Sequence, residues 1–181
     1  MSRAYLLGAL HDATVREYTY RLSQNDRDYV EDIASMVDDL GFDAWTYREG
    51  RDRNVHVAEF GRQVLDGYNV SSREEKRNYV RGYFDADGSV PKDTDARLYV
   101  YFAQQDKADL LEVKEYLEEF DVDTGTLHRP SEETAPDYWR FYVSTASHEA
   151  FAEEIGSRHP RKREVLGKKV RSTPRRESGI T

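Results

Sequence analysis

The chain has 181 residues, enough for one sizeable domain or two small ones around a shared core. It contains no cysteine, which excludes a disulfide framework and any thiolate metal site. Its formal net charge of −8 argues superficially against a nucleic-acid partner, because phosphate binding needs local positive charge.

The N-terminal stretch has a short apolar run without a cleavage pattern, and no run is long enough to cross a bilayer. A soluble, cytoplasmic protein of prokaryotic or archaeal origin is therefore expected. The charge is unevenly spread: between Arg158 and Arg176 nine residues are Lys or Arg, and one, Glu164, is acidic. Acidic pairs such as Glu31-Asp32, Asp38-Asp39 and Glu118-Glu119 fall on predicted helix faces and read as solvated surface. Arginine and aspartate are abundant, which fits a high-salt source and would demand many contacts to offset the salt penalty on DNA binding.

In chain order, Arg3 to His11 reads as a short apolar helix. Thr14 to Gln24 alternates, with Tyr18, Tyr20 and Leu22 on one face and Glu17, Thr19, Arg21 and Ser23 on the other, as a strand or hairpin arm does. Asp26 to Leu40 carries a helical stripe (Val30, Ile33, Val37, Leu40) stopped by Gly41. Phe42 to Tyr47 and Asn54 to Phe60 are predicted strands joined by a turn at Glu49-Gly50.

The second half repeats that order. Arg73 to Asp87 is a helix, and Ala96 to Gln104 a strand with Leu98, Val100 and Phe102 inward. Leu110 to Phe120 is again a helix, and Val122 to His128 and Tyr138 to Ser144 are strands. Glu149 to Ile155 begins a last helix, and a basic segment follows. Gln24 aligns with Gln104, Asp26 with Asp106 and Phe42 with Val122, an internal duplication. The expected division is residues 1–70 for one repeat, 71–170 for the other, and a disordered basic tail over 171–181.

The most informative stretch is Tyr79 to Val90. Gly82 sits inside an apolar helical run that ends in Asp85, Asp87 and Gly88. Gly88 is predicted to end the helix in a left-handed turn. Carboxylates at a helix C-terminus oppose the macrodipole, so something else should reward them, and a divalent cation is the obvious candidate. Gly8 and Gly82 are placed to let two helix backbones approach closely.

These residues resemble the LAGLIDADG homing endonucleases. Val80 to Gly88, VRGYFDADG, matches the nine-residue signature at its third-position glycine and its closing D-A-D-G, and Leu6 to Thr14, LLGALHDAT, matches less well. The resemblance spans nearly the whole chain. It implies an α+β fold of two pseudo-symmetric αββαββ repeats packed through the motif helices, with antiparallel sheets forming a DNA-binding saddle. It also implies a monomer that cuts both strands of double-stranded DNA across the minor groove with Mg2+ or Mn2+, leaving short 3′ overhangs.

In the family the acid at position eight of each motif binds the metal, which here is Asp87. Asp85, at position six, is expected to make a structural bond. In the first motif position eight is Ala13, and the acid is Asp12 at position seven. One helical residue turns a side chain by about 100°, so a regular helix aims Asp12 away, and a helix ending one residue earlier swings it back. Without Asp12 the protein would nick or only bind.

Gln24 and Gln104 match strand-end residues that position active-site water. Lys162, with Arg161 and Arg163 as competitors, is the candidate to polarise that water, or else a phosphate contact. DNA contacts are expected from Glu17, Thr19, Arg21, Ser23, Arg48, Arg51 and Arg53 in the first half. In the second half they are expected from Arg97, Tyr99, Tyr101, His128, Arg129 and Arg140. The alternatives are a LAGLIDADG-derived DNA-binding regulator, an RNA-splicing maturase, or an acidic protein-binding scaffold. The chain's own Met1 and lack of a splicing domain disfavour an intein-embedded enzyme.

Overall fold

The computed structural model describes residues 2–50, 52–134 and 137–172. Arg51 and residues 173–181 of the expected basic tail lie outside them. The first repeat runs α1 (Ser2–Ala9), a 3-10 turn (Leu10–Asp12), β1 (Thr14–Val15), β2 (Thr19–Gln24), α2 (Arg27–Asp39), β3 (Ala44–Glu49) and β4 (Val55–Gly61). The second runs α3 (Arg73–Asp87), β5 (Tyr101–Gln104), α4 (Lys107–Glu118), β6 (Trp139–Tyr142), α5 (His148–Glu154) and α6 (Pro160–Ser172).

Local chemistry sets most of these boundaries. Ser72 and Glu75 form a reciprocal capping box at the start of α3. Asp26 caps α2 by accepting from Tyr29 N (3.1 Å), and its counterpart Asp106 caps α4 through Ala108 N (2.8 Å). The aligned aspartates are therefore equivalent helix starts. Gly41, expected to stop α2, follows it with φ +84°, a left-handed conformation that glycine adopts cheaply. Pro160 opens α6 at the position where a missing N–H costs nothing, which the sequence reading did not use.

The first sheet is antiparallel in the order β1-β2-β4-β3. The second keeps that order with fewer ladder bonds. β5 pairs with β6, Ser89 bridges Tyr101, and Thr124 and His128 bridge Val143 and Arg140. From Thr124 to His128 the edge advances four residues while its partner advances three, from Val143 to Arg140, so a bulge interrupts the pairing. The strand expected over Val122 to His128 is thus reduced to two bridges. The expected strand from Ala96 is ladder-paired only from Tyr101, although Val100 accepts from Val143 N at 2.9 Å. Tyr18, expected beside Tyr20 and Leu22, sits in the turn before β2 and is 74% exposed.

Each repeat has its own core. One gathers Leu22, Tyr29, Ile33 and Phe60, the other Phe84, Phe102, Phe120, Phe141 and Phe151. They meet along α1 and α3. A Cβ on Gly8 would collide with the Tyr79 carbonyl and stand 2.7 Å from Tyr83 N, and one on Gly82 would collide with the Tyr5 carbonyl and stand 3.0 Å from Ala9 N. Tyr5 and Tyr79 are separated by the same interval as Gly8 and Gly82, so the two backbones cross about a local two-fold relation.

Candidate active site and nucleic-acid interface

Where α1 and α3 end side by side, the chain brings together four of the residues picked from sequence. Gln24, at the end of β2, donates through Nε2 to Asp12 Oδ2 at 2.9 Å, and Gln104, at the end of β5, donates through Nε2 to Asp87 Oδ2 at 2.9 Å. The missing residue of the first motif is made up by the 3-10 turn. Three residues at ~2.0 Å rise cover about the same 6 Å as four residues of α-helix at ~1.5 Å. They turn through about 360° against about 400°, so the carboxylate comes back to nearly the same side.

Burial raises both carboxyl groups above the usual range. Asp87 is pushed up to about 7, by burial first and then by the negative charge of Asp12, with the Gln104 bond and Lys162 opposing. Two partly buried acids that repel one another are an electrostatic deficit that a cation removes. Among the described residues the cation acting on both acids is Lys162.

Lys162 is not a solvated basic residue. It is 4% exposed, and its ammonium donates to the carbonyls of Phe84 (2.7 Å), Asp85 (2.8 Å) and Gly88 (2.6 Å). It therefore caps the end of α3 that carries Asp87, and all three N–H groups are used in doing so. Burial lowers its pKa to about 8. Gly88 departs from expectation: its backbone is extended (φ −72°, ψ 159°), not left-handed. Glycine is required there for space, because a Cβ would collide with the Phe84 ring and stand 2.6 Å from the Phe84 carbonyl oxygen.

Asp85, 1% exposed, accepts from Tyr5 Oη (2.6 Å), Ser157 Oγ, Arg158 N (2.8 Å) and His159 N (3.3 Å). It thus anchors the segment that launches α6. Arg158 then reaches the other repeat, with Nε and Nη2 on Asp32 at 3.0 and 2.9 Å, and His159 stacks on Tyr29. At the equivalent place in the first motif His11 meets Tyr79 Oη at 2.8 Å and Asp109 at 2.9 Å.

The residues expected to touch DNA are dispersed. On the open face of the first sheet Thr19 Oγ1 donates to Glu59 (2.7 Å), Tyr47 Oη donates to Glu59 (2.9 Å), and Arg21 pairs with Glu49. Ser23 shares that face by register, and Glu17 is exposed in the turn before it. Arg48 lies on the opposite face, lining a cavity with Arg27, Glu31 and His56, and Arg53 is exposed beyond it.

On the second sheet Tyr99, Tyr101, Arg140 and Tyr142 share the open face. Arg140 lies 4.3 Å from the Tyr101 ring centre, and His128 is parallel to Tyr142. Arg129 is paired with Glu132 and stands over Trp139. Arg161 donates to the Pro91 carbonyl (3.2 Å), and Arg163 lies in a groove against Ala152 and Glu153 of α5. Sequence reasoning missed Trp45, Tyr47, Glu59 and Tyr142. Strand alternation signals Tyr142, two residues from Arg140.

Residues 74–156 match the LAGLIDADG-like domain family. The homing endonuclease I-DmoI, crystallised in complex with DNA and Mn, superimposes with a TM-score of 0.64 at 16% identity, covering 86% of this chain and 96% of that one. A structure from the mesophilic variants of I-DmoI reaches 0.67 at 16% identity, covering 92% and 96%. The N-terminal LAGLIDADG domain of DUF199/WhiA reaches 0.68 at 13% identity, covering 86% and 80%. No curated protein matches the sequence. Among the described residues no helix is long and apolar enough to cross a membrane. At these identities the structural likeness is one of fold: residues 74–156 match a LAGLIDADG-like domain, and nearly the whole chain has the α+β fold of the single-chain LAGLIDADG homing endonuclease I-DmoI.

Proposed function

We propose that the protein is a monomeric, site-specific endonuclease of the homing type, hydrolysing both strands of a DNA duplex across the minor groove with Mg2+ or Mn2+. The observation that carries this reading is the matched pair of carboxylates, Asp12 and Asp87, each gripped by a strand-end glutamine at the close of the two crossing helices. The crystallisation of I-DmoI with DNA and Mn supports it by fold.

Asp12 and Asp87 would hold the metal, which supplies a bound, activated water and neutralises charge on the leaving oxygen. Hard carboxylate oxygens suit such an ion. Among the described residues no third His, Cys, Asp or Glu joins the pair, so the remaining ligands would have to come from water and substrate oxygens. Gln24 and Gln104 fix the carboxylate rotamers. Lys162 holds the backbone under Asp87, and its charge keeps both acids lower than burial alone would leave them. The open sheet faces, flanking the acids, supply the groove contacts.

A second reading, a non-cleaving LAGLIDADG-derived DNA-binding regulator or an RNA-splicing maturase, is favoured by one observation. Lys162, the cation acting on the acids among the described residues, spends every N–H on backbone carbonyls, leaving none to polarise water. Supercoiled plasmid carrying a selected target, incubated with Mg2+, separates the readings. Linear product that disappears in Asp87→Asn supports the endonuclease, whereas tight binding by the wild type without any cut sinks it.

A further inference from the structure

The far end of the second sheet holds a cavity of about 360 Å³ lined by Arg97, Tyr99, Gly125, Tyr142, Ser144 and His148, among others. That volume falls in the lower part of the range for small-molecule sites, roughly 300–1,000 Å³. No carboxylate lines it. Tyr99 and Tyr142, both more than a third exposed, stand on this open face. Each is flanked on one side by a near-parallel ring, Tyr99 by Tyr101 (5.8 Å, 17°) and Tyr142 by His128 (6.1 Å, 6°). Because Tyr101 is inclined 65° to Tyr142, the two rows stand steeply to one another, so a planar group placed in the cavity stacks on one of the two rings and meets the other edge-on. His148 is held below its ordinary pKa by burial and by the Arg97 cation, so its ring is neutral at neutral pH.

The same place in the first repeat is built differently. The Thr124–Val143 bridge corresponds to the Ala44–Phe60 pair, so Gly125 stands where the first sheet has Trp45. The cavity thus opens at a position that carries a large side chain in the other repeat. Flat aromatic rings recognise the faces of bases, which a duplex hides by stacking and an unpaired strand exposes.

We propose that this end of the second sheet binds an unpaired nucleobase, seated against Tyr99 and Tyr142 with its phosphate on Arg97. Ser144 and His148 face the base edge. The inference rests on the reading of the protein as a nucleic-acid binder, and it adds that the second repeat holds unpaired nucleic acid where the first meets paired DNA.

The test uses the full chain and three labelled probes: a single-stranded oligothymidine, an oligouridine and a mixed-sequence duplex, each followed by fluorescence anisotropy at fixed salt. A Cβ on Gly125 meets nothing closer than the Tyr142 carbonyl oxygen at 3.6 Å, so Gly125→Leu fills the cavity without strain at the backbone. Oligothymidine affinity should fall about tenfold in Gly125→Leu and in Tyr99→Leu, the size of one lost stacking contact. Duplex affinity should stay within about twofold in Gly125→Leu, which removes no side chain from the open face, since phosphate contacts dominate it. Circular dichroism establishes that each variant folds, and Tyr99→Leu decides the matter if Gly125→Leu does not. Oligouridine losing affinity in parallel supports the same base-face chemistry for RNA. Unchanged oligothymidine affinity in both variants overturns the proposal, as does a wild type that binds duplex but no single strand. If neither duplex nor single strand binds, the nucleic-acid reading itself fails.

Discussion

The two repeats solve the same geometric problem with different local means. In the second, an α-helix runs unbroken to Asp87, and in the first, the stretch from the crossing glycine to the acid is one residue shorter and closes with a 3-10 turn at Asp12. Both carboxylates end 2.9 Å from a strand-end glutamine. Around them the symmetry holds in position and not in chemistry. The Tyr5–Asp85 and Tyr79–His11 pairs cross the interface at equivalent points, yet one is an acid anchoring the C-terminal strap and the other an imidazole paired to Asp109. The open sheet faces diverge further: glutamates hold Thr19, Arg21 and Tyr47 in the first, while stacked Tyr, His and Arg cover the second. Backbone placement constrains a duplicated fold tightly because close packing tolerates no shift, whereas side-chain chemistry is free wherever a neighbour can change with it.

The largest effects should come from the shared element. Gly8→Val and Gly82→Val each drive a side chain into the opposite backbone and should cost more than about 4 kcal/mol, abolishing the folded far-UV signal at ordinary temperature. Tolerance of either one in a thermal melt would break the symmetry of the helix crossing.

Asp85→Ala orphans buried donors on both repeats and should cost about 3–5 kcal/mol in urea denaturation. His11→Ala, whose partners are part-buried, should cost about 1–2 kcal/mol. Equal losses would mean that the strap adds nothing to the second site.

Lys162→Met leaves three carbonyls of α3 without a donor and should cost about 2–3 kcal/mol. It also removes a cation that lowers both Asp12 and Asp87, so the pH profile of Mg2+-dependent cleavage should move upward. An unmoved profile would confine Lys162 to a structural role.

The smallest effect has the opposite sign. Asp87 titrates at about 7 in the folded chain, above the ordinary carboxylate range, so its stabilising contribution is complete below that ordinary range and is lost as pH rises through 7. In metal-free buffer at alkaline pH, Asp87→Asn should therefore melt about 5 °C higher than the wild type. The curves should converge in acid. Scanning fluorimetry in chelator checks this, and identical melting at alkaline pH would contradict the buried, repelled state of Asp87.

Much of the scaffold is legible in the sequence because its causes are local. The aligned Asp26 and Asp106 are helix caps acting on their own next turns, Gly41 stops α2 as its conformation allows, and the apolar stripes of α2 and α4 define their buried faces. The repeat order and the pairing of Gly8 with Gly82 follow from spacing. The site was half legible: both acids and both glutamines can be picked from the sequence, and each acid accepts from its own strand-end glutamine, while position seven alone would aim Asp12 away.

What the tertiary structure decided depends on partners far along the chain. Whether Asp12 faced Asp87 or solvent hung on how α1 closes against α3. Gly88 is glycine because the Phe84 ring lies against it, not for its own backbone freedom. Lys162 resembles solvated charge in sequence, and only the packing of α6 on α3 turns it into a cap. Gly125 lines a cavity only because its backbone pairs with Tyr142 across a long loop. Sequence alone determined the helices and the order of the elements, since capping and periodicity act within a few residues, but not the extent of the second sheet's strands. Tertiary structure decided what each charged group does, since its electrostatic environment is built by side chains from both repeats.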